Sequence, residues 1–145
     1  MPKIVYPEVN WRCLLCGKCC RDQPNRKRRI LLTDYDLERI KKSQVKVNFY
    51  KEVEPIGAFK YQMLQKDGEC VFLSSGRCTI YEDRPLICRF YPFAMIKGDS
   101  YTFQVDHDCP GVGAGNRVTK RLFTKLVEEA ENAFSGDGMA RVFPM

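Results

Sequence analysis

Long apolar runs are missing from this 145-residue chain. A membrane-spanning helix, which needs about 20 consecutive apolar residues, is therefore excluded. The opening Met1-Pro-Lys-Ile-Val-Tyr6 lacks the apolar stretch of a secretory signal, so the chain is expected in the cytoplasm, away from membranes. Histidine is almost absent, with His107 as the single copy. There is no Ser–His–Asp set, no carboxylate pair and no Walker loop. Hydrolytic catalysis thus has little support, and the sequence leans away from an enzyme. Internal repeats and low-complexity segments are also lacking, so residues 1–145 read as one domain. A chain of this size buries about two-thirds of its unfolded surface. A metal would reinforce such a core rather than replace it.

Neither sign of charge dominates. Against 18 Asp and Glu stand 24 Lys and Arg, a net charge of +6. That balance permits an acidic partner such as RNA without demanding one.

Cysteine is what the chain has in excess. Four of its eight cysteines, Cys13, Cys16, Cys19 and Cys20, fall within eight residues, and Cys70, Cys78, Cys88 and Cys109 follow. Single cysteines are usually small core hydrophobes, but crowding of this kind indicates metal or iron–sulfur ligation. Disulfides are the alternative, and cytosolic thiols stay reduced in most organisms, hyperthermophiles excepted. The C-x2-C-x2-C spacing of Cys13, Cys16 and Cys19 opens the bacterial ferredoxin pattern for a four-iron cluster. In that pattern Cys109, followed by Pro110, is a reasonable remote fourth ligand. Zinc sites more often use two paired C-x2-C arms. Adjacent side chains in an extended stretch point apart, so Cys19 and Cys20 would serve different centres, or one would pack while the other ligates. Eight cysteines divide into two sets of four. Cys20 with some of Cys70, Cys78 and Cys88 could form the second set, but spacing alone does not assign the partition. Four thiolates around Zn²⁺ or an oxidised four-iron cluster leave about −2 of formal charge. Lys18, Arg21, Arg77, Arg84 and Arg89 lie near cysteines in sequence and could offset it, unless they are ordinary surface charges.

The remaining pattern is that of an α+β domain with antiparallel hairpins and two main helices around the cysteines. Residues 1–12 read as an extended lead-in. Ile30 to Leu32 is a short apolar strand. Thr33 is a good N-cap for a helix from 34 to about 42, with Leu37 and Ile40 facing the core. Alternation predicts a strand over 45–53 with a partner over 58–64. Asp67-Gly68 signals a tight turn. Strands starting at Cys70 and Cys78 read as one hairpin across 74–77, and Pro85 opens a helical turn carrying Leu86, Ile87 and Cys88. A further hairpin joins 93–96 to 101–105. Residues 109–115 read as a flexible glycine-rich loop, since the G-x-G-x-G motif has no strand–helix–strand setting for phosphate binding. The last helix spans about 118–134, with Val118, Leu122, Leu126, Ala130 and Ala133 as its apolar stripe, widened by Phe123, Val127 and Phe134. Phe90, Tyr91, Phe93, Tyr101 and Phe103 are expected to shield the metal centre from water. His107 is either an extra ligand beside Cys109 or simply solvated. Arg26, Lys27, Arg28 and Arg29 form a basic run that is either a solvated loop or a contact for RNA phosphates or an acidic protein.

Between residues 13 and 92 these features occur in a set order. Cys13-x2-Cys16-x2-Cys19-Cys20 precedes Cys70-Val-Phe-Leu, and then Cys78-Thr-Ile-Tyr81-x2-Arg84-Pro85-x2-Cys88-Arg89-Phe90-Tyr91-Pro92. The chain thereby resembles the YkgJ-type CxxCxxCC cysteine-cluster family, described as zinc- or iron-chelating. The resemblance implies a small metal-binding domain, and one branch of the family comprises flagellin lysine methylases that use an iron–sulfur cluster and S-adenosylmethionine. Those enzymes are longer than this chain, so methylation is the least supported reading. The leading expectation is one or two Cys-ligated iron–sulfur clusters, of the 4Fe-4S type, in a structural or electron-transfer role as an accessory to a larger protein or ribonucleoprotein complex. The alternative is a Zn²⁺-binding interaction module that contacts RNA or a larger complex.

Overall fold

The computed structural model describes residues 3–14, 17, 20–24, 27–43 and 45–134, together with the backbone of 141–142. Local chemistry sets the first helix. Thr33 Oγ1 accepts from the Asp36 amide at 3.1 Å, and the Asp36 carboxylate accepts from the Thr33 amide at 2.9 Å. This reciprocal capping box starts α1 (Asp34–Lys42), which buries Leu37 and Ile40 as expected. Strand β3 (Leu31–Thr33) leads into it. The run from Ile30 to Leu32 is apolar throughout because both of its faces are covered: Ile30 and Leu32 enter one hydrophobic cluster and Leu31 the other.

β3 joins β4 (Tyr50–Ile56) and β5 (Phe59–Met63) in an antiparallel sheet of order β3-β5-β4. The strand expected from residue 45 begins only at Tyr50. The ladder with β5 ends at Tyr50↔Met63, and the Leu64 amide closes on the Phe49 carbonyl at 2.7 Å. Residues 45–48 lie beyond that last partner.

Two tight hairpins follow: β6 (Gln65–Lys66) with β7 (Glu69–Cys70), and β8 (Leu73–Ser74) with β9 (Arg77–Cys78). Asp67 and Gly68 turn the first at φ of 53° and 77°, and Ser75 and Gly76 turn the second at 52° and 77°. Two successive positive-φ residues match the twist of a two-residue hairpin. The expectation of one hairpin with Cys70 and Cys78 each starting a strand is corrected by these repeated turns. Cys70 ends the first hairpin and Cys78 ends the second.

The largest sheet has the order β1-β11-β10-β13. It contains β1 (Lys3–Val5), β10 (Phe93–Lys97), β11 (Ser100–Val105) and β13 (Arg141–Val142); β1 runs parallel to β11 and the other pairs are antiparallel. The first twelve residues are thus more than a lead-in. Besides β1 they supply β2 (Asn10–Trp11), which pairs with β12 (Val112–Arg117). The segment expected to be a flexible glycine loop is largely this strand. Its register shifts between Val112 and Arg117, where Gly113 and Gly115 take φ of 96° and 74°.

Helix α2 (Leu86–Phe90) is the short turn expected after Pro85, and α3 (Lys120–Phe134) is the long C-terminal helix. α3 starts at Lys120, and just before it the Val118 amide donates to the Val9 carbonyl at 2.9 Å. No helix among the described residues is long and apolar enough to cross a membrane.

Two hydrophobic clusters result. The larger packs α3 on the main sheet, with the Phe123 ring 4.7 Å from Phe103 and 5.0 Å from Phe93. The smaller surrounds Phe49, Met63, Phe72 and Ile80 and includes Cys20, Cys70 and Cys88. α2 straddles both: Leu86, Ile87 and Phe90 face the larger, Cys88 the smaller. The expected aromatic shell is corrected here. Alternation along β10 and β11 sends Phe93, Tyr101 and Phe103 into the larger cluster, and Phe90 joins them there.

Candidate metal centre

All six described cysteines, Cys13, Cys20, Cys70, Cys78, Cys88 and Cys109, line one pocket of about 60 Å³. A single water needs roughly 10–15 Å³ of such space, so the pocket has room for a larger occupant. Cys16 and Cys19 lie outside the described residues.

Separate elements deliver these side chains. After Cys20, Arg21 bridges the backbone of Glu69 and pairs with its carboxylate at 3.8 Å, while the Asp22 amide bonds the Gly68 carbonyl at 2.7 Å. Those contacts sew Cys20 to the hairpin that ends at Cys70. Gly17 lies so close to the second hairpin that a Cβ there would sit 3.1 Å from the Gly76 carbonyl oxygen. Cys78 is held opposite Leu73. Cys88 rides on α2, whose Leu86 amide donates to Asp36 Oδ1 at 2.9 Å. Cys109 precedes β12, where the Arg12 amide donates to the Gly111 carbonyl at 3.3 Å.

Depth divides the set. Cys20, Cys70 and Cys88 are buried in the smaller cluster with Cys78 packed against it, whereas Cys13 and Cys109 are half-buried and belong to neither cluster. Hydrogen-bond donors already reach sulfur in this pocket. The Phe72 amide donates to Cys70 Sγ at 3.5 Å, and the Tyr81 hydroxyl donates to Cys13. Burial raises the Tyr81 pKa above the ordinary tyrosine value; Arg84 opposes this, and the Cys13 contact adds to it.

Among the described residues no Asp, Glu or His lines the pocket, and its cations are Arg77 and Arg84. Arg84 lies 3.8 Å over the Tyr81 ring and donates to the Tyr81 carbonyl at 2.8 Å. The other candidates for charge compensation are placed differently. Arg21 is committed to Glu69, and Arg89 reaches Glu129 on α3 at 3.4 Å; Lys18 is outside the described residues. His107 is exposed and does not line the pocket. Of the expected aromatic shell only Tyr91 reaches it. In the basic run, Lys27 and Arg29 are exposed and Arg26 is outside the described residues. Arg28 is 3% exposed, with its guanidinium 5.5 Å from the Tyr91 ring centroid, so it is withdrawn from the surface.

An all-sulfur donor set fits zinc or iron–sulfur and does not fit magnesium or calcium. The arginines and the donors to sulfur suit the negative charge of metal-bound thiolates. Among the described residues no three Cys, His or carboxylate groups are drawn together tightly enough to form a ready coordination sphere. The six described cysteines share one pocket wall. Sequence reasoning gave no role at the site to several residues of this wall, among them Met63, Phe72, Ile80, Tyr81 and Trp11. Tyr81 is too far in sequence to be linked to Cys13. Trp11 carried one usable signal: it stands two residues before Cys13, which puts both on the same side of an extended segment.

Comparison with known proteins agrees with this chemistry. The CxxCxxCC family, described as "putative zinc- or iron-chelating domain", matches residues 12–110. Two uncharacterized proteins of Methanocaldococcus jannaschii are similar to the chain. MJ0939 is 28% identical over 134 residues, covering 87% of this chain and 45% of its own length. MJ0661 is 27% identical over 131 residues, covering 83% and 68%. The chain therefore spans less than half of the first relative and about two-thirds of the second. No solved structure matches it significantly.

Proposed function

The chain belongs to the CxxCxxCC family of zinc- or iron-chelating domains, and from that premise we propose that its cysteine pocket holds iron–sulfur, of the four-iron type, in a structural or electron-transfer role within a larger assembly. The observation that carries this reading is the meeting of six cysteines on one pocket wall, two from the ends of the Cys13–Cys20 segment and four from separate later positions. The spacing of Cys13, Cys16 and Cys19 and the presence of Cys109 on that wall support one set of four ligands. The burial of Cys20, Cys70 and Cys88, with Cys78 against them, supports a second. An iron–sulfur cluster supplies one-electron chemistry when bound. The chain's own part is to exclude water with Met63, Phe72 and Ile80, to offset thiolate charge with Arg77 and Arg84, and to leave Cys13 and Cys109 near the surface, where a redox partner can approach. Anaerobic purification followed by iron, acid-labile sulfide and zinc analysis tests it. Iron and sulfide in matching amounts are expected; a colourless protein with stoichiometric zinc and no sulfide would sink the reading.

That opposite result would favour a zinc-binding interaction module, for which an all-thiolate donor set is equally suitable. Lys27 and Arg29 are then the exposed members of the basic run available to an acidic partner such as RNA. Their neutralisation should weaken salt-dependent RNA binding, and unchanged binding would remove that contact.

A further inference from the structure

Trp11 is the single tryptophan of the chain, and it lines the cysteine pocket. Its Nε1 is buried and, among the described residues, has no hydrogen-bond partner. Buried donors in folded proteins are nearly always satisfied, and an exception calls for a specific cause. The ring is not placed by chance. β2 holds its backbone opposite Val112, and Phe93 meets the ring edge-on at 5.4 Å. The indole nitrogen lies against Gly111, where an added Cβ would come within 3.1 Å of it. Gly111 is two residues from Cys109, and Trp11 two residues from Cys13; all four line the same pocket. The polar edge of the indole is therefore buried beside Gly111, and the pocket cysteines nearest to these two residues along the chain are Cys13 and Cys109.

A thiol is a weak acceptor, whereas a metal-bound thiolate carries negative charge and accepts readily. We propose that Trp11 is a positioning residue of the metal centre, its indole N–H donating to a metal-bound cysteine sulfur, that of Cys13 or Cys109. Tyr81 reaches Cys13 through its hydroxyl in the same pocket, so the pocket then supplies two side-chain donors to sulfur. The inference rests on the chelation reading but is independent of the choice between zinc and iron–sulfur. Losing a hydrogen bond to a ligand of this kind lowers metal affinity by about 10- to 100-fold.

The test uses the full ¹⁵N-labelled chain titrated with Zn²⁺ alone, with bound zinc measured on the same samples. A single indole N–H resonance is present to follow. It should move downfield on zinc loading and exchange more slowly with solvent. Trp11→Phe, which keeps a ring against Phe93, should bind the same amount of zinc with affinity lowered about tenfold in chelator competition. Full zinc uptake with an unmoved indole resonance overturns the proposal while leaving the chelation reading intact. Absence of zinc uptake here, with neither iron nor zinc in the anaerobically purified chain, overturns both, and the metal analysis tells the two failures apart. Should the variant not fold, the indole resonance of the unaltered chain decides the matter.

Discussion

Asp36 is fully buried and serves two helices at once. Its Oδ2 accepts from Thr33 at the start of α1, and its Oδ1 from the Leu86 amide at the start of α2, 50 residues further on. Burial raises its pKa above the ordinary aspartate value, against the pull of those amides and of Arg39. Because α2 carries Cys88, this carboxylate positions a pocket cysteine without touching it. Asp36→Ala would strand two buried amides, each at a cost of about 1–3 kcal/mol. A loss of about 3 kcal/mol in urea unfolding is expected, with faster labelling of Cys88 by a thiol reagent. An alanine variant as stable as its parent would contradict this account. At this scale, what could be read from the chain was what is local. Thr33 was legible as a cap because its partner is three residues away. The hold on Leu86, the Tyr81 contact to Cys13 and the burial of Arg28 over Tyr91 all join residues far apart in sequence, and composition carries no trace of them.

Between elements the decisive arrangement is the separation of the two hydrophobic clusters. α3 was legible from its apolar periodicity, though the face is centred differently. Phe123, Val127 and Ala130 are fully buried, while Leu122 and Ala133 are only partly covered. The apolar set is wide enough that periodicity alone could not say which edge packs deepest. β12 was not legible for a related reason, and of the double hairpin only the turns at Asp67-Gly68 and across 74–77 were. The pairing of β12 depends on β2, about a hundred residues earlier, and strands of two residues carry too little alternation to register. Since Phe123 and the buried cysteines sit in different clusters, stability and metal binding should separate. Phe123→Ala is expected to cost about 3–5 kcal/mol while leaving metal stoichiometry unchanged. Calorimetry and metal analysis on one preparation check both halves, and loss of metal by the folded variant would refute the separation.

At the scale of the whole molecule, the main core contains no cysteine among the described residues, so the metal should stabilise a fold that already exists. A ligand at 100 times its dissociation constant adds about 2.7 kcal/mol to a state that binds it. For a chain of this length, chelation is expected to lower Tm by about 5–10 °C while far-ultraviolet circular dichroism stays native-like. Complete unfolding on metal removal would instead make the metal the organiser of the fold. The cysteine pattern announced the chemistry of the site because ligand spacing is local. It also pointed to Cys109 as a remote partner of Cys13, and both do line one wall; what it did not announce is the chain topology that brings them there. Lys3 lies beside Ser100 in the parallel pair, and Trp11 beside Val112. Contacts so distant in sequence form late and slowly. During synthesis the first four cysteines leave the ribosome long before Cys109 and the strand that seats it, so for that interval they are a thiol cluster without a cradle. On the proposed reading, a metal held by both Cys13 and Cys109 would be enclosed only after that later strand has been made.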